Sequence, residues 1–223
     1  SPEVKQRFIL RSKIVSEMRR FFDKQNYLEV ETPILQSIAG GASAEPFKTH
    51  HNALDVDMYL RIAPELFFFF LLVAGFPKVY EIGRLFRNEG IDVTHNPEFT
   101  TIEYYEAFAD AKKYRALTEK AIKTVVKKAT GSSVIEFDGN QIDFGKKFAV
   151  ITFEKLLAEH AGIKSAKKIS LADAQSKAVE LGVKVDRGDL VHKILDNIYK
   201  KTCRPKLIQP TFITHYPTEV SPL

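Results

Sequence analysis

Cysteine is almost missing from this sequence: Cys203 is the only one in 223 residues. A single thiol excludes a disulfide framework or a cysteine-built zinc site within the chain. It also fits a reducing compartment. Cys203 itself reads as structural, with a nucleophilic role as the alternative. Long apolar runs are missing as well. The longest, Leu66–Phe76, falls well short of the ~20 residues a membrane span needs. The opening residues, Ser-Pro-Glu-Val-Lys-Gln, lack the apolar core of a secretory signal. A cytoplasmic protein with no membrane partner is therefore expected. Neither G-x-G-x-x-G nor G-x-x-x-x-G-K-[ST] occurs, so any nucleotide is held by other means. The six histidines show no metal-ligand spacing; His50 and His51 are adjacent and poorly placed to chelate one ion. No Ser-His-Asp ordering can be argued, and neither an internal repeat nor a low-complexity linker interrupts the chain.

What remains is an ordinary globular composition. Hydrophobic residues make up 44% and charged residues 27%, which excludes a disordered tail, a collagen-like chain and a coiled coil. The length suits one large domain or two small ones, with a real core. Lys and Arg number 33 against 28 Asp and Glu, a net charge of +5. That excess permits a nucleic-acid partner without demanding one; a solvated basic surface fits equally.

The periodicity predicts a helix from Pro2 to about Gln25, with Ile14, Val15, Met18, Phe21 and Phe22 as its apolar stripe. Tyr27–Pro33 reads as a short strand ended by proline. Ser37–Ser43, with Gly40-Gly41-Ala42, reads as a loop where backbone approaches another group closely. Lys48–Asp57 is polar, and Met58–Ile62 suits a strand. Pro64 opens a helix through Phe67–Val73, stopped by Gly75. Val79–Glu89 and Phe99–Phe108 form a long antiparallel hairpin around a loop from Gly90 to Asn96. A helix follows from about Ala111 to Ala129, capped by Asp110 and burying Tyr114, Leu117, Ala121 and Val125. Asp138-Gly139-Asn140 joins a second hairpin. Thr152 and Ser170 cap further helices ending near Gly162 and Gly182. A last helix covers Leu190–Lys201, and Leu207–Leu223 reads as strand and then loop. Strands in hairpins with helices between them indicate an α+β fold with a mostly antiparallel sheet.

The chemistry concentrates in Arg87-Asn88-Glu89 and in His95 through Tyr105. Residues two apart in a strand share a face, so Arg87 pairs with Glu89, and Phe99, Thr101, Glu103 and Tyr105 line up together. An arginine, two carboxylates, an aromatic plane and a phenol on one surface suit a nucleotide. Arg87 can fork onto a phosphate, Phe99 can stack on a base, Glu89 can accept from an exocyclic amine and Glu103 can pair with an ammonium. The same residues also fit a charged solvent face, and the pattern alone leaves both readings open. His95 is either a phosphate or proton-transfer group or an ordinary surface histidine.

Arg87–Glu89 with His95–Phe99 resembles motif 2 of class II aminoacyl-tRNA synthetases. The early helix with Val30-Glu-Thr-Pro33 resembles motif 1, the dimer-forming segment. The motifs would span about 9–35 and 79–108. Within the class, Ala39–Ala44, Pro46-Phe47, Thr49–Leu54, Leu60-Arg-Ile-Ala-Pro-Glu-Leu66, Tyr80-Glu-Ile-Gly-Arg84 and Gln209–Leu223 resemble the lysyl-tRNA synthetases, with the match weakest from Ala111 to Lys206.

The resemblance implies a class II fold, a mixed, mostly antiparallel sheet flanked by helices. It implies ATP-dependent activation of lysine to lysyl-adenylate and transfer to tRNA(Lys), in a homodimer formed through motif 1. Gly41 and Ala42 would line the lysine pocket, Glu65 would bind the α-amino group, and Glu103 and Tyr105 would face the substrate, Glu103 through its charge. Arg87 would act as the catalytic residue, holding the α-phosphate and the carboxylate under attack. Glu89 would read adenine, Phe99 would stack on it, and His95 and Asn96 would approach the phosphates. Mg²⁺ would accompany ATP, its ligands expected beyond Leu223, with motif 3 and the anticodon-binding barrel also absent. On this reading residues 1–223 form a partial catalytic domain, truncated before motif 3 and expected to be inactive alone. Two alternatives are a lysyl ligase that modifies elongation factor P and a non-catalytic ATP- or lysine-binding module. One departure stands out: Phe67–Phe70 includes positions where the family carries basic residues. Four adjacent phenylalanines point all round a helix, so some are expected buried and some exposed.

Overall fold

The computed structural model describes residues 1–220, the Val220 side chain excepted. They fall into two units, residues 1–129 and residues 130 onward. The last residues of the expected terminal loop, 221–223, lie outside the described residues. The architecture is α+β, as expected.

In the first unit, α1 (Pro2–Lys24) starts at Ser1, whose hydroxyl accepts from the Val4 amide, with proline at its first position. Four strands and a helix follow: β1 (Leu28–Glu29), β2 (Leu35–Gln36), β3 (Lys48–His51), β4 (Val56–Leu60) and α2 (Glu65–Val73). Then come β5 (Lys78–Phe86), β6 (Glu98–Glu106) and α3 (Ala111–Thr130). The main sheet has the order β1-β5-β6, with β1 parallel and β6 antiparallel to β5. A second sheet has the order β2-β4-β3, both pairs antiparallel.

Two expectations need correction here. Lys48–Asp57, read as a polar connection, contains β3 and the start of β4. Both faces of β3 are exposed, so it carries no apolar alternation to be read. The long hairpin is also shorter than expected, because β5 ends at Phe86 and not at Glu89. The Arg87 amide still donates to the Pro97 carbonyl at 2.8 Å, but Pro97 has no N–H with which to return the bond. The ladder stops, and the Arg87 carbonyl accepts from Glu89 instead. Strand parity therefore does not govern Arg87 and Glu89.

The two faces of β5–β6 do different work. Tyr80 opposes Tyr104 and Ile82 opposes Ile102, and these side chains pack with Met18 and Phe22 from α1, Leu117 and Ala121 from α3, and Tyr27 just ahead of β1. Phe22 lies 5.3 Å from Tyr80 and 4.6 Å from Tyr104, ring centre to ring centre. Each tyrosine satisfies its polar tip: Tyr27 donates to Glu106 at 2.9 Å and Tyr80 to Asp23 at 2.8 Å. The apolar residues of α1 are unevenly used. Phe21 and Phe22 are buried, whereas Phe8, Leu10 and Ile14 are exposed; Leu10 and Ile14 border a cleft of about 400 Å³ against Ile82 and residues 100–102.

The second unit carries β7 (Val134–Phe137), β8 (Asn140–Asp143), β9 (Ala149–Thr152), α4 (Phe153–Ala161), α5 (Leu171–Glu180), α6 (Val191–Ile198) and β10 (Thr211–Thr214). β7 and β8 make the expected hairpin, and β9 pairs in parallel with β10. Thr152 and Ser170 cap α4 and α5. The expected last helix is α6, which passes into a π-helical turn over Tyr199–Cys203. Leu156, Leu157, Ala174, Ile194, Ile198 and Cys203 form its core. Cys203 donates to the Leu156 carbonyl at 3.4 Å, and burial pushes its thiol up. A protonated, enclosed thiol is a packing group. Among the described residues, no helix is long and apolar enough to cross a membrane.

The uneven burial of α1 yields a direct contrast. Phe22→Ala is expected to cost about 3–5 kcal/mol in urea unfolding. Ile14→Ala, about two turns earlier on the stripe and exposed, is expected to cost about 0.5 kcal/mol or less.

Candidate functional site

The charged face of β5–β6 is built around Arg61, which precedes α2. Arg61 and Glu81 are both buried, 2.6 Å apart. Glu81 also accepts from the Thr32 hydroxyl at 2.7 Å and the Thr32 amide at 3.1 Å. Arg61 donates to the Thr32 hydroxyl at 2.8 Å, the Thr32 carbonyl at 3.1 Å and the Arg84 carbonyl at 2.9 Å. Main-chain bonds fix Arg61 itself, with its amide donating to Ile34 and its carbonyl accepting from Phe86. Gly83 makes room: any side chain there would run into the Arg61 guanidinium and come within 2.9 Å of Glu81.

Glu103 lies directly opposite Glu81 on β6. Burial raises its carboxyl above the usual carboxylate range, and the charges of Glu65 and Glu81 raise it further; Arg61 and Arg87 pull it back. Tyr105, two residues on, stacks on buried Phe68 at 4.8 Å. Its phenol is raised by burial first, then by Glu103 and Glu65. Gly41 joins this group from the loop before β3. It has φ +84°, and a side chain there would meet Glu65 Cβ at 3.1 Å and Ala63 Cβ at 3.2 Å. Both the conformation and the close approach require glycine. Ala42, the next residue, is exposed.

At the other end of β6, the Arg87 guanidinium sits over the Phe99 ring, 5.4 Å from its centre. Its Nε is buried and has no hydrogen-bond partner among the described residues. A buried cationic donor without an acceptor is costly to leave so, and an anionic ligand would satisfy it. The Asn88 amide donates to the Glu45 carbonyl at 2.7 Å, tying the Gly41 loop to the Arg87 segment. Glu89, His95 and Asn96 are exposed on the connecting loop. His95 Nδ1 lies 2.8 Å from Asp92. Amide bonds from Thr94, then His95 and the Thr94 hydroxyl, hold the Asp92 carboxyl well below its usual range.

Of the residues singled out from sequence, Gly41, Glu65, Glu103 and Tyr105 thus form one group. Arg87 and Phe99 form a second, which bears on the first through the influence of Arg87 on Glu103. Ala42, Glu89, His95 and Asn96 are not gathered into either. Sequence reasoning missed Arg61, Glu81 and Thr32 as site residues. The runs Leu60–Leu66 and Tyr80–Arg84 carried the signal, since an arginine and a glutamate inside otherwise apolar stretches are both obliged to find a partner. No group of three or more His, Cys, Asp or Glu side chains among the described residues is placed to hold a metal ion.

Residues 1–223 match a family model described as tRNA synthetases class II (D, K and N). A lysine–tRNA ligase of Pelotomaculum thermopropionicum is 48% identical over 226 residues, covering 100% of this chain and 44% of that protein. One from Carboxydothermus hydrogenoformans is 48% identical over 223 residues, covering 100% and 46%. One from Yersinia enterocolitica is 47% identical over 225 residues, covering 99% and 44%. The chain spans a little under half the length of these curated relatives.

The tight seat of Arg61 predicts that Gly83→Ala displaces the guanidinium from Glu81. The expected loss is about 3 kcal/mol in chemical unfolding, the scale of a broken buried pair.

Proposed function

The chain belongs to the class II tRNA synthetases of the aspartate, lysine and asparagine group, and on that footing we propose that it supplies the amino-acid and ATP cradle of a lysine–tRNA ligase. The observation that carries this reading is Glu65, packed on Gly41, bearing on the half-buried Glu103. Burial raises the Glu103 carboxyl, and the charge of Glu65 raises it further. Such a pair is unfavourable in an empty pocket and favourable around a substrate with two ammonium groups. Lysine is that substrate. Glu65, held against Gly41, takes the α-amino group, with Gly41 and Ala42 lining the pocket by backbone; Glu103 takes the side-chain ammonium, and Tyr105 closes the wall beside it.

Arg87 faces the lysine carboxylate and the α-phosphate of ATP. Its unpartnered Nε suits an oxygen anion, and its position over Phe99 puts it beside a ring on which adenine can stack. Glu89 is assigned to the adenine amine, and His95 and Asn96 to the phosphates. All three come from the exposed loop, which would close onto the nucleotide. The lysine carboxylate attacks the α-phosphorus in line, its oxygen bonding to phosphorus as the bond to pyrophosphate breaks. The protein's contribution is positioning and charge stabilisation. Transfer of the lysyl group to tRNA(Lys) follows. Mg²⁺ would accompany ATP, but the described residues offer no set that fits it, and no step here is assigned to it. The exposed Phe8, Leu10 and Ile14 of α1 support pairing with a second copy through the motif 1 region.

In the enzyme that carries this segment, Arg87→Ala is expected to slow lysine-dependent ATP–pyrophosphate exchange roughly a hundredfold, about 3 kcal/mol. An unchanged rate removes Arg87 from the mechanism. Exchange driven by aspartate or asparagine, and not by lysine, reassigns the chain within its family.

A second prediction separates function from stability. A carboxyl raised in the folded state opposes folding once pH exceeds its ordinary unfolded value of about 4.3. Glu103→Gln is therefore expected to raise the melting temperature at pH 7 while raising the KM for lysine more than that for ATP. The stability gain should fade as pH falls below about 4, where the carboxyl is protonated in both folded and unfolded chains.

A further inference from the structure

Three carboxylates bear on the pocket, Glu65, Glu81 and Glu103, yet lysine brings only two ammonium groups. The third carboxylate, Glu81, is matched from inside the protein. Arg61 contacts it at 2.6 Å, Thr32 bonds to both partners, and Gly83 leaves the guanidinium no slack. Neither member of the pair is free to turn toward a ligand.

We propose that the Arg61–Glu81 pair is an internal charge lock that fixes the pocket at two outward-acting carboxylates, making Arg61 a positioning residue that sets specificity for a doubly ammonium-bearing amino acid. The proposal rests on the lysine reading. Without Arg61, Glu81 would stand as a third negative charge directly opposite Glu103 and favour a proton on it; a neutral Glu103 attracts no ammonium. Without Glu81, the guanidinium of Arg61 would itself repel the substrate's ammonium. The groups that face Glu103 are Glu65 from α2, Glu81 from β5, Arg61 ahead of α2 and Arg87 beyond β5, with Tyr105 beside it on β6.

The test is carboxyl-carbon NMR titration of glutamate in the 223-residue chain, with the Glu103 signal assigned by Glu103→Gln. Glu81→Gln keeps the shape and removes one negative charge. Arg61→Gln removes the positive one, and the double variant removes both. The Glu103 midpoint is expected to fall by about one pH unit in Glu81→Gln and to rise by about one in Arg61→Gln. In the double variant it should return close to the original value. Lysine binding, measured against norleucine, should weaken about tenfold in each single variant and recover in the double.

A merely structural pair gives no opposite shifts and no recovery. Midpoints that stay put or move the same way in both single variants would overturn the lock. If Arg61→Gln does not fold, Glu81→Gln and the double variant still decide: a Glu103 midpoint that does not fall in the first, or does not return in the second, overturns the proposal. Opposite shifts in a chain that prefers norleucine to lysine would leave the electrostatics standing and remove the lysine reading. A lysine preference with shifts in one direction would remove the lock alone.

Discussion

A guanidinium and a carboxylate buried 2.6 Å apart are the constraint on which the first unit turns. Desolvating both ions costs several kcal/mol each, and only good geometry with further hydrogen bonds repays it. Here the repayment comes from different parts of the chain. Thr32 follows β1, Arg61 precedes α2, and Glu81 and Arg84 lie on β5. The pair therefore works as a fastener as well as an interaction. It holds the exit of β1, the entry of α2 and the middle of the hairpin in one arrangement. A hydrophobic replacement of equal volume can stabilise as much. It would keep the balance of charge at Glu103 but lose the hydrogen bonds to Thr32 and the Arg84 carbonyl that fasten the three segments together.

That balance rests on the division of labour between the two sides of β5–β6. One side is aromatic and closed. Tyr80 and Tyr104 pack with Phe22, and Glu106 is held below its usual carboxylate range by Lys113, Tyr27 and Lys78 despite the opposing cost of burial. The other side carries Glu81 opposite Glu103, a like-charge cross-strand pair that is unfavourable in itself. The closed side supplies packing energy and rigidity; the charged side spends part of it. The opposite signs of the Glu106 and Glu103 shifts express this. One carboxylate has its cations built in, and the other is short of them.

Much of the closed side was legible in the sequence. The stripe ending at Phe21 and Phe22, the alternation of β5 and β6, and the face of α3 that buries Ala121 and Val125 all follow from local period and propensity. The hairpin at Gly139 follows from its turn residues. What escaped depends on partners distant in sequence. The pairing of β9 with β10 joins segments some sixty residues apart, and neither announces the other. The exposed β3 has no apolar period to read. For the site, parity placed Phe99, Glu103 and Tyr105 on one face of β6, but it failed for Arg87 and Glu89 because a missing proline donor ends the ladder. The family resemblance named Glu65 and Gly41, whose proximity no local pattern reveals. It did not single out Arg61, whose importance appears only through what it touches.

The run Phe67–Phe70 shows how one helix can serve both burial and chemistry. Its four rings are not equivalent: Phe68 is fully buried, while Phe69 and Phe70 are exposed. Glu65 and Phe68 are three residues apart, a spacing that sets both on one side of α2. Phe68 stacks on Tyr105, and Glu65 influences the same phenol and the neighbouring Glu103. The stacked ring thus holds this side of α2 against the hairpin. Gly41 packs on the same glutamate, so Glu65 is bordered by a backbone without a side chain and by a helix held through an aromatic contact. Burial, and then the charge of Glu65, favour a proton on Glu103, and a proton or a cation relieves that cost alike.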